Sequence, residues 1–219
     1  MILYENAKAL NFKAIEILLN IGKKSVVKIK KEKYSGSGFL CRIPSPNMDQ
    51  LPVLVANNHL LNEDDINVGK TIEFTLNNDN LKIKILIDEN RKLYTSKKYD
   101  ITFLEIKRND GLDSSTFIDV DPNIFSSNVI DLKDKLVCLL SYPFSRKLQF
   151  SNGKILKLEN NGIQIYHLCN TSAGCAGGPI IDINNYKVIG VHQGCIQNKN
   201  FNIGIFLKKP IEEFSNMIN

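Results

Sequence analysis

The sequence predicts an all-β protein, two small antiparallel barrels side by side with one helix at each end. Three observations predict it. From Ser25 onward, short segments rich in Val, Ile, Phe and Tyr alternate with breaks of Asn, Asp, Gly and Pro. Thirteen such segments are more strands than one small barrel uses. A polar stretch at about 108 to 128 divides them into two groups. With 43% apolar and 23% charged residues in a chain of 219, there is enough apolar surface for a sizeable core. No apolar run approaches the roughly 18 to 20 residues of a membrane-spanning helix.

The elements follow in order. Leu3, Ala7, Leu10, Ala14, Ile17 and Ile21 repeat at alternating three- and four-residue spacing, which predicts a helix over 2–21. Gly22 is expected to end it, and Lys23 and Lys24 suit the negative pole of its dipole. Two roles are open for this helix, packing against the body or docking onto a regulatory domain or partner. Strands are expected at 25–30, 38–43, 53–56, 71–75, 81–87, 101–106, 136–141, 148–150, 154–158, 163–167, 179–182, 188–192 and 201–207. Ile211, Phe214 and Ile218 share one face of a closing helix over 210–218. The expected division is a helix over 1–22, a first barrel over 23–110, a linker over 111–128, and a second barrel with the closing helix over 129–219.

Twenty-eight Lys and Arg against 23 Asp and Glu give a net charge of +5, but the basic residues are spread along the chain. The short clusters Lys28, Lys30, Lys31, Lys33 and Lys97, Lys98 lack the interleaved aromatics that stack bases, so no nucleic-acid partner is expected. Five cysteines, an odd number, occur without a secretory signal, which points to free thiols in the cytoplasm. No Cys-x-x-Cys pair occurs and His59, His167 and His192 lie far apart in sequence, so neither metal nor other cofactor is expected.

Three stretches carry the chemistry. In Val55-Ala56-Asn57-Asn58-His59-Leu60-Leu61 an apolar strand breaks into a histidine; alone, this histidine reads as structural. In Tyr99-Asp100-Ile101-Thr102-Phe103 an aspartate opens an alternating strand, a common turn role for Asp. In Thr171-Ser172-Ala173-Gly174-Cys175-Ala176-Gly177-Gly178-Pro179 three glycines surround position 176 just before a strand.

Taken together, these stretches resemble the chymotrypsin-like peptidase family, in which histidine, aspartate and nucleophile occur in that chain order. Gly36-Ser37-Gly38-Phe39-Leu40 and Val188-Ile189-Gly190-Val191-His192-Gln193-Gly194 resemble the family's segments before the histidine and after the nucleophile. The resemblance spans about residues 25 to 217 and implies two six-stranded antiparallel barrels and serine endopeptidase activity on a protein or peptide. His59 would act as general base, Asp100 would fix its tautomer, and the amides of Gly174 and Ala176 would form the oxyanion hole.

The departure lies at the nucleophile, where the chain has Ala176. A methyl group cannot attack a carbonyl, so this polypeptide is expected to be inactive by the covalent route. Three explanations stay open: a serine or cysteine replaced by alanine in an active protease, a natural pseudoprotease that holds peptides, and Cys175 acting one position early. Cys175 also stands where activated zymogens carry an ion-pairing aspartate, which argues against activation by N-terminal trimming. Thr171 and His192 resemble the pair that lines the first pocket in enzymes cutting after Glu or Gln. Asn170 stands where tryptic enzymes keep an aspartate, and Gly194 completes the expected substrate contacts. His167 has no role in the resemblance.

Overall fold

A computed structural model describes residues 10–31, 34–45, 48–126, 132–196 and 199–218. Leu3 and Ala7 of the expected N-terminal face lie outside these residues. The first helix, α1 (Phe12–Ser25), starts where the Asn11 side chain accepts the Ala14 amide at 2.9 Å. It does not stop at Gly22. The helix continues to Ser25 and buries Ala14, Leu18, Gly22 and Ser25, a face about one residue round from the expected one. Its contact with the body is the reason. A Cβ on Gly22 would lie 2.6 Å from Leu148 Cδ2, so the missing side chain lets the helix press onto the second barrel. Lys23 and Lys24 occupy the last turn as the dipole favours.

The first half contains β1 (Val26–Lys30), β2 (Ser35–Ser45), β3 (Met48–Ala56), β4 (Thr71–Leu76), β5 (Leu81–Leu86), β6 (Leu93–Ser96), β7 (Ile101–Glu105) and the short β8 (Ile118–Asp119). Hydrogen bonding runs β5-β4-β1-β2-β3-β7-β6, with β8 added parallel to β2, and gives a half-barrel. The second half, β9 (Leu136–Ser141), β10 (Gln149–Glu159), β11 (Gln164–His167), β12 (Pro179–Asp182), β13 (Val188–Cys195) and β14 (Asn202–Phe206), closes as the barrel β10-β11-β14-β13-β12-β9. The segments expected at 148–150 and 154–158 are one strand, β10. Gly153 is a crossing point within it, where a Cβ would meet the Cys169 amide nitrogen at 2.5 Å. The stretch expected as a linker packs: β8 pairs with β2, and Val120 bridges to Val188.

One apolar core runs through both halves, from Phe39, Val53 and Phe103 to Leu139, Ile180 and Val191, and a second, with Leu40, Leu54 and Phe74, lies in the first half. The closing helix α2 (Lys208–Met217) returns to the first half. Phe214 packs at a tilt against Tyr94 and Phe103, and Glu213 accepts hydrogen bonds from the Tyr94 and Tyr99 hydroxyls at 3.0 and 2.5 Å. Both halves are thereby fixed around the segment carrying Asp100. Cys41, Cys138, Cys169 and Cys175 are buried free thiols, and Cys195 is an exposed one. Among the described residues, no helix is long and apolar enough to cross a membrane.

Candidate active site

Strand register brings the first two residues together. Ala56 at the end of β3 pairs with Thr102 near the start of β7, so His59 and Asp100 leave neighbouring strands at the same edge. Buried Leu60 and Leu61 anchor the turn after β3 through their amides to the Asn57 carbonyl, at 3.1 and 2.9 Å, and leave His59 half-exposed. Asp100 has φ +48°, a left-handed conformation that Asp tolerates better than most residues. Buried Asn57 braces it by donating to its carbonyl at 2.9 Å. The carboxylate accepts the His59 amide at 2.9 Å and faces His59 Nδ1 at 2.8 and 3.0 Å. A proton on Nδ1 satisfies this contact and leaves Nε2 free to accept.

The 173–178 turn is held from three sides. Gly174 and Gly177 have φ +90° and +88°, and a Cβ on Gly177 would lie 1.9 Å from the Ser37 carbonyl oxygen. Glycine is needed at 177 for both reasons. The Gly177 amide bonds the His192 carbonyl at 2.9 Å, and the His192 amide bonds the Gly178 carbonyl at 2.8 Å. From the first half, the Ser37 amide bonds the Ala176 carbonyl at 2.8 Å. The buried Ser37 hydroxyl donates to the Gly174 carbonyl at 2.8 Å and accepts the Tyr142 amide at 2.9 Å.

The Phe144 amide holds the Ala173 carbonyl at 2.6 Å, which turns the Gly174 N–H to the opposite side of that planar peptide. Among the described residues, neither the Gly174 nor the Ala176 amide has an acceptor. A Cβ on Gly36 would meet Leu60 Cδ2 at 2.6 Å and the Ala176 carbonyl at 3.2 Å, so the residue after His59 and position 176 meet across this glycine.

Ala176 is half-buried at the wall of a cleft of about 560 Å³, with Asn170, Thr171, Gly174, His192 and Gly194 around it. Cys175 is buried, and its Sγ accepts the Ser172 amide at 3.3 Å. It faces the core and does not line the cleft. Thr171 Oγ1 donates to Asn202 Oδ1 at 2.9 Å, which engages its proton, whereas the Asn170 side chain is exposed at the wall.

His167, unassigned by sequence, lies behind His192. The Cys169 amide donates to His167 Nδ1 at 3.3 Å, which places the His167 proton on Nε2; that proton faces His192 Nδ1 at 3.1 Å. His192 therefore carries its proton on Nε2. Burial pushes the affinity of both rings for a second proton well down, and for His192 the neighbouring His167 adds to this against the opposing Ile203 carbonyl. Burial thus favours the neutral form of both rings. The pair's sequence signal was strand parity: β11 and β13 both pair with β14, where His167 faces Asn202 and His192 faces Gly204. Lys199 at the cleft also escaped the sequence reading, and Ser37, part of the quoted Gly36 to Leu40 segment, had no bridging role read for it.

No protein-family model matches this sequence, and no curated protein is similar to it by sequence. Solved structures are similar in fold. The serine endoprotease from Yersinia pestis superposes with TM-score 0.67 at 12% identity, over 95% of this chain and 68% of that one. A serine-to-alanine mutant of Rv3671c from M. tuberculosis H37Rv, in an inactive form, gives 0.63 at 17% identity over 97% and 95%. Glu endopeptidase in complex with MPD gives 0.63 at 16% identity, over 90% of each chain. The chain has the chymotrypsin-like serine protease fold.

Proposed function

We propose that this chain is a chymotrypsin-like endopeptidase scaffold whose nucleophile position holds alanine, inert in covalent hydrolysis as it stands and competent once residue 176 is serine. One observation carries the reading: the His59–Asp100 pair precedes Leu60, which meets position 176 across Gly36, and among the described residues the amides of Gly174 and Ala176 have no acceptor. With serine at position 176, Nε2 of His59 takes the hydroxyl proton as oxygen attacks the substrate carbonyl. Asp100 stabilises the imidazolium, and the two amides receive the developing oxyanion. The proton then passes from His59 to the leaving amine, and water repeats the sequence to release the acid.

The same reading assigns cleavage after Glu or Gln. His192 lines the cleft with Nδ1 engaged by His167, so its neutral ring keeps one N–H, on Nε2, that a substrate carboxylate or amide oxygen would have to draw from the Ile203 carbonyl. Asn170 offers no charge to Lys or Arg. Lys199 at the mouth adds a positive charge that favours Glu over Gln. The test is Ala176→Ser on a peptide library. Cleavage after Glu and Gln is expected; cleavage confined to Lys or Arg refutes the assignment.

A second reading is favoured by Ala176 itself. An intact cleft and the end of β13, which runs past its ladder with β12 beyond Val191, with no nucleophile, suit a module that binds peptides by strand addition and does not cut them. Saturable binding of Glu peptides together with a folded but silent Ala176→Ser protein would select it.

A further inference from the structure

A second hollow, of about 590 Å³, lies between the turn joining β4 to β5 and the segment that follows β9. Lys28, Asp79, Ser145, Arg146 and Lys147 line it. Lys28 is buried, and its Nζ binds Asp79 at 2.7 Å; Thr75 Oγ1 binds the same carboxylate at 2.6 Å, and Lys30 approaches it at 3.7 Å. The Lys28 hydrogen bond above all holds the Asp79 carboxyl below the usual range, so it stays ionised and its charge is spent on lysine. Arg146 and Lys147 are exposed, and among the described residues neither has a carboxylate partner. The Arg146 guanidinium lies 5.8 Å over the Phe144 ring, which orients it without neutralising it.

The hollow adjoins the candidate oxyanion turn. A Cβ on Gly174 would lie 3.3 Å from the Ser145 amide and 3.1 Å from that of Phe144. On the function proposed above, a peptide with one side chain in the cleft and its carbonyl at the Gly174 and Ala176 amides would run its preceding residues along the end of β13 beyond Val191 and its following residues past Ser145, which adjoins Gly174, toward Arg146 and Lys147.

We propose that this hollow recognises acidic side chains on the leaving-group side of the bound peptide, so that the preferred ligand is Glu or Gln followed by an acidic stretch. The inference rests on the function proposed above. Two unpaired cations beside a carboxylate already neutralised leave an excess of positive charge that only an anionic segment complements.

The test uses the Ala176 chain unaltered, which on the function proposed above would hold peptides without cutting them. Fluorescence anisotropy compares three labelled peptides: Glu followed by Asp-Glu-Asp, Glu followed by Gln-Asn-Gln, and Ala followed by Asp-Glu-Asp. The acidic tail should tighten binding about tenfold at low salt, an advantage that shrinks as the Debye length shortens. The double substitution Arg146→Gln, Lys147→Gln should bring the ratio of acidic to neutral tail close to one. Equal binding of both tails, or a ratio unchanged by the double substitution, overturns the proposal. A tail effect that persists while Glu and Ala peptides bind alike supports the hollow and refutes the specificity proposed for the cleft. No measurable binding of any peptide overturns both.

Discussion

Lowering the pH from 7 to 5 should destabilise this fold through two buried rings. His167 and His192 share one hydrogen bond of 3.1 Å, and burial holds both neutral where an unfolded histidine, with a value of 6.5, takes up a proton. Below that value the unfolded chain binds more protons than the native one, so stability falls as pH falls. Each pH unit below 6.5 costs about 1.4 kcal/mol per excluded proton. At pH 5 that is about 2 kcal/mol per ring and about 4 kcal/mol if both stay neutral, a large share of a typical 5–15 kcal/mol. Carboxylates held low by their lysine partners, such as Asp79 by Lys28 and Asp134 by Lys154, lose their contribution only below about pH 4, so the window is clear of them. Urea unfolding at pH 7, 6 and 5, followed by near-UV circular dichroism of the seven tyrosines, measures the loss. Ring-proton NMR on a chain with three histidines identifies which of them stay neutral. Stability that is flat from pH 7 to 5, or His167 and His192 signals that titrate near 6.5, would refute the reasoning.

Ser37→Ala should remove the hydroxyl that joins the Gly174 carbonyl to the Tyr142 amide and leave two buried backbone groups unpaired, at about 2–4 kcal/mol in urea unfolding. Ser37→Thr should recover most of that loss. In the Ala176→Ser background, Asp100→Asn should lower kcat by about 10,000-fold with little change in KM, because the amide stabilises the wrong His59 tautomer. Steady-state kinetics on a Glu peptide checks this, and a loss below tenfold would remove Asp100 from the account.

The fold class was legible because alternation is a local signal, and most strands from β1 to β14 fall where the apolar segments stand. The candidate pair was legible only through the chain order of three stretches that together resemble one family, since His59 alone reads as structural and Asp100 as a turn residue; their meeting at neighbouring strand ends is a matter of register, which no local pattern records. Glycines misled the reading where long-range contacts decide their use. Gly22 and Gly153 look like breaks in sequence, yet each lies inside an element at a close crossing, against Leu148 and the Cys169 backbone. The short β6 carries half-buried Thr95 and Ser96 and lacks a clear apolar face, and the two-residue β8 exists only through its pairing with β2. Ser37 and His167 gain their partners, Tyr142 and His192, across 105 and 25 residues of sequence, which no local pattern records.

The most direct measurement is to restore a hydroxyl with Ala176→Ser and treat the folded protein with an acylating active-site serine probe. The account predicts stoichiometric labelling of residue 176 that His59→Ala abolishes, together with a rise of about a million-fold in peptide hydrolysis over the Ala176 chain. A folded Ala176→Ser protein that neither labels nor cleaves would contradict it and leave a peptide-binding module.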